Sequence, residues 1–229
     1  MKKALLSFSV LALITVFAAC KKNNPAPATT ASVMFVHGCA AGSTPINVDA
    51  KANNTAVING SNKAFLQNSG YQAITAGSAV PMSFSVTGLS QLSSGTENLT
   101  VGGHYSAFAG GTILAPTFIF TSDDLTAPSS GNVKIRLVNL STDTLHINAD
   151  AQSTAFATGV NSGQVSSFME IAAGSYTIKA GDPANIGSVV ILGTGAQQLV
   201  AGKIYTVMLT GTLTGLGTSG LTLTLITNQ

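Results

Sequence analysis

Apolar and polar residues alternate strictly along Met82-Ser83-Phe84-Ser85-Val86 and along Leu221-Thr222-Leu223-Thr224-Leu225. A side-chain period of two puts one face of a strand on a core and the other in water. Thr, Val, Ile and aromatic residues, which suit a pleated surface, fill many such runs. Twenty-four glycines cut the chain into short segments, and Asn59-Gly60 has the composition of a tight turn between two strands. No stretch carries a helical apolar stripe with capping residues. Short strands separated by turn signals predict an all-β chain of β-sandwich type.

The pattern is also written twice. Leu99-x-x-Gly102-x-x-Tyr105-Ser106 recurs as Leu199-x-x-Gly202-x-x-Tyr205-Thr206, and each copy runs on to a Gly-Thr pair, Gly111-Thr112 and Gly211-Thr212. Val33 to His37 matches Ile135 to Asn139, Ile46 to Ala50 matches Leu145 to Ala149, and Tyr71-x-x-Ile74 matches Phe168-x-x-Ile171. The offset drifts by a few residues, as insertions in loops require. Two copies of one domain follow. They occupy residues 31–122 and 132–229, each long enough for a core without staples. The polar, turn-forming stretch 123–131 between them reads as a linker.

The repeated segment resembles the tyrosine corner of fibronectin type III and immunoglobulin-like domains, where a Tyr near the start of a late strand bonds back across the preceding turn. That resemblance implies that Leu99 and Leu199 close the core, Gly102 and Gly202 supply the turn, and Tyr105 and Tyr205 bury their rings. Val207 and Leu209, like Ala107 and Ala109, are then expected to continue inward. More broadly, Ile135-Arg136-Leu137-Val138-Asn139-Leu140-Ser141, the later Ala-Gly pair and the Gly-x-x-Tyr-Thr ending resemble the domain of unknown function numbered forty-three ninety-seven. That domain is common in bacterial envelope lipoproteins and often tandem. The second copy is the closer match. In the first, Met34 stands in place of the usual Arg and Gly38-Cys39 in place of Leu-Ser. The resemblance implies two tandem immunoglobulin-like β-sandwiches and carries no catalytic residues.

The amino-terminal region belongs to no sandwich. Lys2 and Lys3 precede an apolar stretch from Ala4 to Ala19, and Phe17-Ala18-Ala19-Cys20 sets small residues before a cysteine. Residues 1–19 are similar to a bacterial lipoprotein signal peptide, which implies cleavage before a lipidated Cys20. Residues 20–30, with two prolines and no apolar periodicity, read as the lipidated cysteine and a flexible tether. No Asp follows Cys20, which favours the outer membrane, on its periplasmic or its outer side. Removing residues 1–19 takes two lysines and no acid, so the mature chain has eight bases and eight acids. A basic footprint for nucleic acid is missing. Cys39 is then the only thiol left, which excludes an internal disulfide, and it reads as a small buried hydrophobe.

What the copies share is apolar residues, glycine and tyrosine, which a fold needs and a reaction does not. His37, His104 and His146 each lack a histidine at the matching position and are expected at the surface or at strand edges. His37-x-Cys39 has no second pair of ligands for zinc. Asp123 and Asp124 in the linker, with Asp143 and Asp150, could supply oxygens to calcium, but two adjacent carboxylates in a polar linker are expected to be solvated. Gly215-x-Gly217-x-x-Gly220 leads into a strand rather than a helix, so it reads as a hairpin turn and not a dinucleotide fingerprint. Asp143-Thr144-Leu145 resembles a short bacterial O-glycosylation site. No catalytic residue, cofactor or metal is expected. The reading is a non-enzymatic, lipid-anchored envelope protein presenting two modules for binding or structural assembly, with an envelope protein or a glycan as partner. The alternative is a glycan-binding accessory protein or a glycoside-processing enzyme. Ten Phe, four Tyr and no Trp make a poor supply for a sugar-stacking platform.

Overall fold

The first repeat is woven from β1 (Thr30–His37), β2 (Asn47–Ala52), β3 (Thr55–Ala64), β4 (Asn68–Thr75), β5 (Gly77–Val86), β6 (Gln91–Leu99), β7 (His104–Thr112) and β8 (Ala115–Ser122). The second uses β9 (Asn132–Asn139), β10 (Ile147–Ala151), β11 (Thr154–Val160), β12 (Met169–Ala172), β13 (Gly174–Tyr176), β14 (Ile178–Asp182), β15 (Asn185–Ile191), β16 (Gln197–Leu199), β17 (Ile204–Thr210) and β18 (Thr222–Thr227). This computed structural model describes residues 29–40, 46–86, 91–143, 146–191, 195–215 and 220–229. Cys20, the signal segment, Thr144-Leu145 and most of the Gly215-to-Gly220 turn lie outside the described residues.

Each repeat is a β-sandwich. The first stacks sheet β4-β1-β7-β8 on sheet β3-β2-β5-β6. The second stacks β12-β9-β17-β18 on β11-β10-β14-β15, with β13-β16 as a separate short ladder. In both, the opening strand runs parallel to the corner strand, pairing Val33 with Tyr105 and Ile135 with Tyr205. Alternate residues point between the sheets. Val33, Phe35, Phe84, Ala107 and Ala109 fill the first core, and Ile135, Leu137, Ile178, Val207 and Leu209 the second.

The tyrosine corners form as their spacing implies. The Thr100 N–H donates to the Tyr105 hydroxyl at 3.1 Å, and the Val200 N–H to the Tyr205 hydroxyl at 3.0 Å. Gly102 and Gly202 hold φ of 75° and 82°, a left-handed conformation that a Cβ disfavours. Leu99 and Leu199 are buried beside them. The Asn59-Gly60 turn does not form. Both residues lie inside β3, where the register slips so that Val48 opposes Lys63 while Ala50 opposes Ile58. The hairpin turns instead at Asn53-Asn54, and its counterpart at Gln152-Ser153, all four residues having positive φ. Asparagine tolerates that region well enough to displace the stronger Asn-Gly signal when the register demands it.

A larger correction concerns the outer faces. Strands β1, β7, β9 and β17 do not leave one face in water; every residue of β17 is buried. Met34, Val36, Phe108 and Ile119 of the first repeat pack against Val138, Leu140, Met208 and Ile226 of the second, forming a third apolar cluster between the sandwiches. The same sheet face of each repeat thus covers the other, as in an isologous dimer. The contacts fix how they meet. Near the strand starts, Arg136 of β9 reaches Asp123, which follows β8. At the strand ends, Leu140 overlies Gly38 and Gly110, and the Gly111 N–H points to the Leu140 carbonyl at 3.4 Å. Tyr71 of β4 touches Asn228 beyond β18. β8 therefore lies over β12 and β4 over β18, related by a pseudo-two-fold axis along the strands.

Candidate functional site

The chemically loaded part of the molecule is a ring of side chains closed around that pseudo-axis. Arg136 Nη2 donates to Asp123 Oδ1 at 2.5 Å. Asp123 Oδ2 accepts from the Tyr71 hydroxyl at 2.5 Å and from Ser106 Oγ at 2.6 Å. Asn228 Nδ2 donates to the Tyr71 hydroxyl at 3.1 Å, Thr206 Oγ1 donates to Asn228 Oδ1 at 2.7 Å, and Arg136 Nε returns to Thr206 Oγ1 at 3.0 Å. A further Arg136 N–H reaches the Ser122 carbonyl, and the guanidinium lies 4.3 Å from the centre of the Phe168 ring. The side chains of Arg136 and Asp123 retain only 2% and 0% exposure. A charge removed from water to this degree is tolerable only when paired and hydrogen-bonded throughout.

Local sequence positions every member. Ser106 and Thr206 are the outward residues just after the corner tyrosines. Asp123 and Asn228 each follow the last strand of their repeat, and their N–H groups donate to the carbonyls of His104 and Ile204, both at 2.8 Å. Ser106 donates to Asp123 as Thr206 donates to Asn228. Tyr71 and Phe168 are likewise matched positions, and so are Met34 and Arg136. One duplicated frame has been made asymmetric by an Arg in the second copy and an Asp in the first.

Asp123 is thus not the solvated linker residue its surroundings suggest, because the second sandwich seals it in. Asp124 does remain exposed. Lys134 Nζ donates to it at 2.7 Å and Thr126 Oγ1 at 2.6 Å. These hydrogen bonds, Lys134 first, hold its carboxyl down at about 2. Burial, and then the adjacent Asp123 carboxylate, push the Tyr71 hydroxyl well above its ordinary range. A carboxylate already bound by Arg136, Tyr71 and Ser106 has little left to offer a calcium ion. Asp143 accepts from the Leu213 N–H and Asp150 from the Ser153 N–H, so both serve turns. Among the described residues no three His, Cys, Asp or Glu side chains gather as a metal site.

The histidines separate. His146 is exposed and His104 half-buried, edge-on to Tyr71. His37, expected near the surface, is 1% exposed. Its Nδ1 accepts from the Cys39 N–H at 3.3 Å, and its Nε2 meets the Ile46 carbonyl at 3.1 Å. Burial lowers its pKa to about 4. Asn139 performs the same task in the second repeat, its Oδ1 accepting from the Ser141 N–H at 3.1 Å. Cys39 is fully buried, as its reading as a small hydrophobe requires, and burial pushes its thiol up to about 12.

Polar positions do recur, contrary to expectation. Ser69 Oγ accepts from the Phe35 N–H at 3.0 Å, and Ser166 Oγ from the Leu137 N–H at 2.9 Å. Gln67 and Gln164 cap the turns just before them. Extending the Tyr71/Phe168 match four residues upstream would have exposed this Gln-x-Ser pair. Two shallow depressions, of about 380 and 430 Å³, flank Val165 to Phe168. The smaller is an inter-repeat groove bounded also by Thr121, Ser122, Asp124 and Arg136.

No curated protein matches the chain. A solved structure from Bacteroides uniformis ATCC 8492, described as a "putative cell adhesion protein", is similar over 88% of this chain and 100% of its own at 12% identity. Its TM-score is 0.22, too low to carry an argument. A family pattern described as "Domain of unknown function (DUF4397)" matches residues 31–150 and 142–229. Those two segments span nearly all of the two sandwiches, and the chain belongs to that family, in tandem.

Proposed function

We propose that this is a non-enzymatic, lipid-anchored protein of the bacterial cell envelope, whose paired sandwiches act as one rigid unit for binding or structural assembly. One observation carries the reading: the residues best suited to chemistry, Arg136, Asp123 and Tyr71, bind one another inside the joint. Such closure suits a part that must keep a fixed shape. The lipid anchor rests on the sequence around Cys20, and its location on the outer membrane on the residues that follow.

Metabolic labelling with an alkynyl fatty acid, followed by membrane fractionation, tests the anchor. Wild-type protein is expected to carry label in the outer-membrane fraction, and Cys20→Ala to lose it. Digestion of intact cells with protease then separates the outer from the periplasmic side. Turnover of a glycoside, ester or peptide by the purified protein, abolished by one substitution, would overturn the non-enzymatic reading.

A further inference from the structure

We propose that the end of the molecule bearing Val101 and Val200 is its membrane face. The inference rests on the lipid-anchor reading and goes beyond it, since a tether alone leaves the orientation of its cargo open.

The pseudo-axis runs along the strands, so β1 and β9 begin at the same end. Both tyrosine-corner turns therefore lie there, tied to those strand starts. The Gly102 N–H donates to the Thr30 carbonyl at 2.9 Å, and the Gly202 N–H to the Asn132 carbonyl at 2.8 Å. Each turn holds a valine out to solvent immediately before its left-handed glycine or one residue earlier. Val101 is 58% exposed and Val200 51%. Both are large apolar side chains on tips the fold does not cover, and they come in a pair only because the repeats pack side by side.

The chain's entry point makes a lipid surface the fitting occupant. The first described strand begins at Thr30, ten residues after Cys20. At no more than about 3.5 Å per residue, that length keeps this end within roughly 35 Å of the lipid, and closer if the tether is not fully extended. The charge on this end does not oppose contact. Asp124 and Lys134 neutralise one another, Lys203 is exposed beside Gly202, and Glu170 is engaged by the Ser129 N–H and the Asn132 amide. The exposed polar turns Asn53-Asn54 and Gln152-Ser153 lie at this same end, where headgroups can meet them. Two valines are too little to hold a protein on a bilayer, which the acyl chains do. Their effect is to select which end rests on it.

Leu114, 98% exposed, lies at the turn joining β7 to β8 and so at the opposite end, which supplies an internal control. The lipidated full chain is reconstituted into phosphatidylethanolamine and phosphatidylglycerol vesicles as Val101→Cys, Val200→Cys or Leu114→Cys, and an environment-sensitive fluorophore is attached. Cys39 is buried and stays unlabelled. Lipids carrying a quencher near the headgroup should extinguish emission at positions 101 and 200 and leave position 114 bright. Val101→Asp combined with Val200→Asp, with the probe at Ala201→Cys, should lose that quenching while the protein still floats with the vesicles. Flotation with equal quenching at both ends, or quenching at 114 alone, would overturn the membrane face and leave the anchor standing. Absence of lipid on Cys20 would remove both.

Discussion

Arg136 and Asp123 meet at 2.5 Å inside a joint between two copies of one domain, and both side chains are almost wholly buried. Removing one partner strands the other, and for buried pairs that costs about 3–5 kcal/mol. Asp123→Ala is expected to fall in this range, because the guanidinium keeps only Thr206, Ser122 and the Phe168 ring. Replacing both, as Arg136→Met with Asp123→Leu, should recover much of the loss, since an apolar pair needs no desolvation. Urea unfolding of Asp123→Leu, Arg136→Met and the double variant gives the coupling energy. A double variant no more stable than Asp123→Ala would show that the pair itself, and not its balance, secures the joint.

Leu140 occupies a hollow that exists because positions 38 and 110 are glycine. A Cβ on Gly38 would collide with Leu140 Cδ1, and one on Gly110 would come within 3.1 Å of Leu140 Cδ2. Gly38→Ala is expected to destabilise by about 1–3 kcal/mol through overpacking. Leu140→Ala should cost about 2–5 kcal/mol through the cavity it leaves. Combined, the substitutions should cost less than their sum, because the added methyl enters the vacated space. Additive losses in thermal or urea unfolding would place the damage elsewhere.

Local devices were legible in the chain and facing surfaces were not. The bond of each tyrosine corner joins residues only five apart in sequence, so Leu-x-x-Gly-x-x-Tyr contains nearly all of its geometry. The Arg136–Asp123 pair is only thirteen residues apart, yet it forms only once two sheets from different repeats have docked. A signal for that docking was present. Val207-Met208-Leu209 and Ala107-Phe108-Ala109 are unbroken apolar runs, which a strand with one wet face does not carry. Reading only the alternate positions assigned Val207 and Leu209 correctly and left Met208 and Phe108 without a partner. Asp123 was misjudged for the same reason: its neighbours in sequence are polar, and the surface that buries it comes from the other copy.

The two corner hydroxyls offer a matched pair of tests. Tyr105→Phe leaves the Thr100 N–H without its acceptor, and Tyr205→Phe does the same to Val200. Tyr205→Phe should cost about 0.5–1.5 kcal/mol, the net worth of one hydrogen bond, and Tyr105→Phe more, because the Thr100 hydroxyl also bonds the Tyr105 hydroxyl at 2.8 Å. The sites lie in separate cores, so the double variant should lose the sum of the two. Amide exchange should quicken at residues 100 and 200 while the strands beyond keep their protection. Uniformly faster exchange across one sandwich would mean that the corner stabilises the whole domain rather than its own turn.

His37 should make the first repeat sensitive to mild acid. Burial lowers its pKa from 6.5 to about 4, opposed in part by the hydrogen bond to the Ile46 carbonyl. Because Nδ1 accepts from the Cys39 N–H, the neutral ring carries its proton on Nε2, and a second proton would break the Cys39 bond. Between about pH 6.5 and 4 the unfolded chain binds a proton that the folded chain refuses. Stability is therefore fully present above pH 6.5 and declines as pH falls, by about 3 kcal/mol at most across that window. Asn139 fills the matching place in the second repeat with a group that does not titrate. His37→Asn should accordingly keep the turn and flatten the pH dependence, read from urea midpoints at pH 7 and pH 4.5. An unchanged slope in the variant would assign the acid sensitivity to another group.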